Sequence, residues 1–129
     1  MQKILFTMLL FVSLLVATDL NYSSIYSRCI DNSGGVTSVM NECNADELQH
    51  QDVLLNRYYK ALMSHLSSSK KAQLKKAQRL WIKYRNANCG FYTGLTGGTM
   101  DIINAGGCHV DMTARRAGEL KEFLLLIGE

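Results

Sequence analysis

The chain divides by the spacing of its apolar residues. Ile4 to Ala17 is an apolar run broken only by Thr7 and Ser13. Residues 19–36 are polar, with Gly34-Gly35 marking a turn, and read as an irregular lead-in tied down by Cys29. From Thr37 to Leu66 there is neither glycine nor proline. Leu48, Asp52, Leu55, Tyr59, Leu62 and Leu66 recur there at steps of three and four, the spacing of one helix face. This predicts a long first helix with Thr37 or Ser38 as its N-cap. Ser67-Ser68-Ser69 interrupts the pattern and offers caps for a second helix over Lys70 to Asn88. Its inward stripe is Leu74, Ala77, Gln78, Trp81, Tyr84 and Arg85, with Lys71, Lys75, Lys76 and Lys83 turned outward. The connection is short, so the two helices are expected as antiparallel neighbours.

Residues 90–107 change character. Gly90, Gly94, Gly97, Gly98, Gly106 and Gly107 punctuate a stretch that also carries Phe91, Tyr92, Leu95, Met100, Ile102 and Ile103. It reads as a long loop, unusual in a compact domain unless functional or stapled. Met112, Arg116, Leu120 and Phe123 or Leu124 then repeat at helical spacing and predict a third helix over Val110 to Ile127, capped by Asp111 or Thr113. The expected fold is all-α: a small three-helix antiparallel bundle with disulfides and a long Gly-rich loop between helices two and three.

The N-terminal run is too short to span a bilayer, which takes roughly 20 apolar residues. Gln2-Lys3, a short apolar core and a small residue at its end describe a secretory signal peptide. Residues 1–18 are therefore assigned to the signal, with the cut after Ala17 or Thr18, and residues 19–129 to one helical domain. No cysteine lies near the end of the run, so no lipid attachment and no stable membrane insertion after cleavage are expected. The location is periplasmic or secreted. Four cysteines in an exported chain, Cys29, Cys43, Cys89 and Cys108, read as disulfides. Cys43 starts helix one, Cys89 ends the antiparallel helix two and Cys108 begins helix three, so all three share one end of the bundle and Cys29 can reach it. Of three possible pairings, short loop closure favours Cys29–Cys43 with Cys89–Cys108; the others stay open.

The net charge is +3, or about +2 once Lys3 leaves with the signal, too little for a nucleic-acid footprint. The basic cluster from Lys70 to Arg85 reads as a solvated helix face. The cysteine spacings do not suit a metal site, and no cofactor is expected. Asp52, Asn56, Gln78, Arg85 and Arg116 fall on stripes expected to face inward. Enzymatic catalysis would need a nucleophile beside a base, or carboxylates across a cleft. The set holds a single carboxylate, so it reads as a structural polar network, and the protein as a non-enzyme. Trp81 and Tyr84 read as core. The apolar loop residues either cover the end of the bundle or meet a partner. In the second reading Leu95, Met100 and His109 are the contacts, although His109 could instead cap helix three.

Several segments carry a family resemblance. They are Met40-Asn41-x-Cys43 with Asp52-x-x-Leu55-Asn56-x-x-Tyr59-x-x-Leu62, and Leu74-x-x-Ala77-Gln78-Arg79-x-Trp81-Ile82-x-Tyr84-Arg85-x-x-x-Cys89. Gly97-Gly98-Thr99-Met100 and Cys108-x-x-x-x-Thr113-x-x-Arg116-x-x-x-Leu120 complete the set. Together, over about residues 29–120, they resemble the N-terminal domain of the LprI-type lysozyme inhibitors. The family takes its name from a mycobacterial lipoprotein that inhibits lysozyme. The chain departs from it in having no lipoprotein cysteine at its start. The resemblance implies an exported binding protein whose protein partner is lysozyme, blocked by occlusion of its cleft. The alternative is a non-inhibitory envelope or virulence-associated interaction module.

Overall fold

The structure, a computed structural model, describes residues 20–128. The signal segment assigned to residues 1–18 lies outside the described residues. Among the described residues there are four α-helices and no strand: α1 (Ser24–Asn32), α2 (Thr37–His65), α3 (Ser68–Gly90) and α4 (Met100–Leu126). The all-helical class holds, but the count of three helices does not. No helix among the described residues is long and apolar enough to cross a membrane.

The additional helix, α1, lies within the stretch expected to be irregular. Ser23 caps it, its side chain accepting the Tyr26 N–H at 3.1 Å. None of its residues is buried, and its apolar stripe, Ile25 and Cys29 beside Tyr26 and Ile30, is too short to stand out from the polar stretch around it. It is stapled to α2 by Cys29–Cys43, and Gly34 (φ 60°) and Gly35 (φ 76°) turn the chain between the two helices. The N-cap of α2 is Val36, which makes no side-chain cap, rather than Thr37 or Ser38. Ser67 caps α3 by accepting the Lys70 N–H.

The largest departure concerns the glycine-rich stretch. The loop spans only residues 91–99, because α4 begins at Met100 and runs unbroken through Gly106-Gly107. Gly106 sits where α4 meets α2. The Asn44 amide donates to the Ile103 carbonyl at 3.2 Å, and a Cβ on Gly106 would lie 2.9 Å from Asn44 Nδ2. Close helix approach, not a turn, calls for glycine at 106. Asp111 and Thr113, expected at the start of the last helix, lie in its interior.

Helix directions follow from the contacts. Asn44 meets Ile103 near the starts of α2 and α4, while Leu62 and Leu120 share a core further along, so these helices run parallel. Cys89–Cys108, Arg85–Thr113 and Gln78–Arg116 pair α3 and α4 in opposite chain order, so α3 is antiparallel to both. The helix α4 packs chiefly against α2, with a smaller contact to α3.

The interior has two halves. Leu55, Leu62, Leu74, Ala117, Leu120 and Leu124 form the apolar core at one end, with Tyr58, Trp81 and Phe123 against it. At the other end the inward face of α2 is Cys43, Asn44, Glu47 and Gln51. The sequence pattern assigned that half of the face to Leu48 and Asp52. Polar residues occupy it because the segment before α1 supplies their partners. Glu47, 3% exposed, accepts the Ser23 N–H at 2.9 Å, the Ser23 hydroxyl at 2.5 Å and the Gln51 amide at 2.7 Å. Gln51 also donates to the Asn21 carbonyl at 2.9 Å. Among the described residues every buried side-chain nitrogen and oxygen has a partner.

Glu47→Ala strands buried donors on Ser23 and Gln51, and is expected to lower the unfolding free energy of the oxidised protein by about 2–4 kcal/mol. Asp52→Ala, at a half-exposed position, is expected to cost no more than about 1 kcal/mol. Urea unfolding checks the order; equal costs would contradict the assignment of the inward face.

Candidate functional site

The end of the bundle that carries both disulfides also carries the loop. Cys89 closes α3, Cys108 lies in the third turn of α4, and their bond fixes the two helices with Cα atoms 5.5 Å apart. The partner bond, Cys29–Cys43, has Cα atoms 5.8 Å apart. Successive turns follow α3: Tyr92 N–H donates to the Cys89 carbonyl, Thr93 to Gly90 and Leu95 to Tyr92. Gly94 (φ 74°) and Gly97 (φ 79°) allow the reversals between them.

Asp101, buried in the first turn of α4, holds the far side of the loop. One carboxylate oxygen accepts the N–H groups of Thr96 at 2.9 Å and Gly97 at 3.0 Å, and the other accepts the Thr96 hydroxyl at 2.7 Å. These bonds, led by the Thr96 hydroxyl, hold its carboxyl below the ordinary value of 3.8 against an opposing cost of burial. The sequence offered a signal for this clamp, since Asp101 is the only acidic residue between Asp52 and Asp111. The clamp leaves the loop's apolar side chains outside. Phe91, Leu95, Met100 and Ile102 are each more than half exposed. Beside them a groove of about 580 Å³ runs between α1, α2 and α4, lined by Tyr22, Tyr26, Tyr92, Ile103 and Asn104. The Tyr26 hydroxyl donates to Asn44 at 2.7 Å, and that of Tyr22 donates to Asp111.

Of the residues offered to a partner from the sequence, Leu95 lies in the loop and Met100 in the first turn of α4, both exposed. His109 is not with them. It is half-buried within α4, so it neither caps that helix nor stands on the loop. Burial, and then the charge of Arg85, push its pKa below 6.5, with Asp52 acting the other way. Phe91 and Ile102 complete the exposed surface instead.

The five polar positions do not form one network. Arg85 pairs with Asp52 at 3.6 Å, donates to Thr113 at 3.0 Å and lies over the Trp81 ring at 5.0 Å. Separately, the buried Arg116 donates to Gln78 at 2.9 Å and pairs with Glu119 at 2.5 Å. Asn56 is exposed and donates only to the Asp52 carbonyl of its own helix. Tyr84, expected in the core, is also exposed. The lysines at 75, 76 and 83 are exposed as expected, while Lys71 is partly buried. Among the described residues no group of three or more His, Cys, Asp or Glu side chains is placed to hold a metal ion.

A family model described as lysozyme inhibitor LprI matches residues 29–120. A similar sequence is an uncharacterized protein of Rhizobium meliloti, 31% identical over 101 residues, an alignment covering 66% of this chain and 71% of that protein. No solved structure matches the chain.

Two pH dependences follow. Because Asp101 is more acidic in the folded state, its clamp is fully stabilising above 3.8 and is lost as pH falls below that value through its folded pKa. Hydrogen exchange should show the Thr96 and Gly97 amides protected in neutral solution and released on acidification, and Asp101→Asn should release them throughout; unchanged protection in that variant would contradict the clamp. For His109 the fold favours the neutral ring, so its contribution is full above 6.5 and falls as pH drops through its folded pKa. The melting midpoint should fall over that window, and less so in His109→Asn; identical profiles would remove His109 as the cause.

Proposed function

The chain belongs to the LprI lysozyme-inhibitor family, and on that premise we propose that it is an exported protein that blocks lysozyme by seating the 91–99 loop in the enzyme's glycan cleft. The observation that carries this reading is the outward display of Phe91, Leu95, Met100 and Ile102 on a base held by Cys89–Cys108 and Asp101. An apolar tip on a fixed base fits a concave site and loses little conformational freedom on binding. The rest of the surface offers less for this purpose, since α2 and α4 are committed to one another and α3 is coated with basic residues.

Charge placement supports the same end of the molecule. Asp31 and Asp111 line the groove beside the loop, and the basic excess lies on α3. A basic enzyme of the animal lysozyme kind is therefore drawn to the loop end despite the positive net charge of the whole chain. Lysozymes cleave between paired carboxylates, and free loop N–H groups are the donors that would meet them. His109 has no part in this step. Export follows from the assigned signal segment and suits a fold that depends on two disulfides.

A lysozyme turbidity assay with the oxidised protein tests the proposal. Leu95→Ser with Met100→Ser is expected to weaken inhibition by about a hundredfold, from two apolar anchors at roughly 1.5 kcal/mol each. The melting midpoint should stay within about 2 °C, since both side chains are exposed. Full inhibition by the double variant would move the contact off the loop. No inhibition by the unaltered protein would overturn the lysozyme reading and leave a non-inhibitory envelope interaction module.

A further inference from the structure

The helix α3 holds seven of the chain's 14 basic residues and none of its 11 acidic ones. The remainder of the protein is therefore acidic, and the small net charge conceals a strong segregation. The arrangement on the helix is specific. Leu74, Gln78 and Cys89 are buried, and Trp81 and Arg85 partly so, which sets the inward side. The outward side carries two adjacent rows at steps of four: Lys75, Arg79 and Lys83, and beside them Lys76, Leu80 and Tyr84. All six are exposed, Leu80 at 57% and Tyr84 at 62%. Among the described residues no ion pair engages the four cations of these rows.

We propose that this face of α3 docks the protein on an anionic phospholipid surface, with the lysines and Arg79 on lipid phosphates and with Leu80 and Tyr84 entering the interface. Lysine and arginine rows next to apolar and aromatic side chains are what an interfacial helix presents to a charged bilayer. A helix of 23 residues gives a straight edge of about 34 Å, long enough to bring both rows against a plane at once. A polyphosphate such as duplex nucleic acid would satisfy the cations, but it has no use for an exposed leucine and tyrosine between them. That pair of residues favours the bilayer. The acidic remainder of the molecule would face away from the membrane, and the loop after Gly90 would stay accessible.

Co-sedimentation with vesicles tests this, using the oxidised protein recovered from the periplasm of an expressing cell. Vesicles of phosphatidylcholine are compared with vesicles in which about a third of the lipid is phosphatidylglycerol, at low and high salt, a setting in which basic side chains respond to surface charge. Binding to the anionic vesicles is expected to be at least tenfold stronger and to fall with salt. Lys76→Glu with Arg79→Glu and Lys83→Glu should abolish the preference at an unchanged melting midpoint. Leu80→Ser with Tyr84→Ser should weaken binding several-fold while keeping the preference for charge. The proposal is overturned by equal binding to both vesicles, by charge-reversed protein that binds as before, or by tight binding to duplex DNA that the Leu80 and Tyr84 changes leave untouched.

Discussion

Half of this bundle has to be held together without an apolar core. The leucines of α2, α3 and α4 meet only toward the far end of α2 and α4. At the other end, where the loop emerges, the interior is mainly polar, with Asn44, Glu47, Gln51 and Thr113 beside Val110 and two disulfides. Buried polar groups of this kind stabilise only when every one is satisfied. The segment before α1 and the Ile103 carbonyl meet that demand, with Ser23 and Asn21, which lead into α1, as the hydrogen-bond partners of Glu47 and Gln51. Each disulfide then removes roughly 3 kcal/mol of unfolded-chain entropy, given closures of 14 and 19 residues.

Under the proposed function, this division of labour suits an end that displays apolar side chains. A leucine-rich interior beneath the loop would compete for Phe91, Leu95 and Ile102. A polar interior closed by covalent bonds has no such claim on them. Asp101 extends the same logic into the loop, replacing hydrophobic anchorage with three hydrogen bonds to one carboxylate. The result is a loop with defined shape whose apolar residues remain available, and a scaffold that an oxidising compartment completes.

The opposite arrangement governs α3. It buries a narrow stripe, and among the described residues the charges of its outward face are free of the ion pairs that occupy Arg85, Arg115 and Arg116. Arg85 shows the contrast within a single helix: turned inward, it is held by Asp52, Thr113 and the Trp81 ring. The cations on the other face, Lys75, Lys76, Arg79 and Lys83, meet only solvent or a surface outside the molecule. Segregating charge in this way separates the loop end, rich in carboxylates, from the basic helix.

The sequence by itself determined the helical class, the extents of α2 and α3 and the even set of cysteines. These follow from local rules: glycine-free runs with apolar periodicity, and serines that break the pattern between helices. The exposure of Leu95 and Met100, left open by the sequence, came from the structure. It also contained the family pattern over residues 29–120. Tertiary structure decided what those rules cannot see. The helix α1, without a buried residue, is anchored because its N-cap Ser23 donates to Glu47 of α2. Gly106-Gly107 reads locally as a breaker, yet α4 runs through it, and glycine stands at 106 because α2 approaches too closely for a side chain there. The inward face of α2 shifts from Leu48 and Asp52 to Glu47 and Gln51 because partners distant in the chain can satisfy polar groups there. In each case the deciding contact joins residues far apart in sequence, where periodicity carries no information.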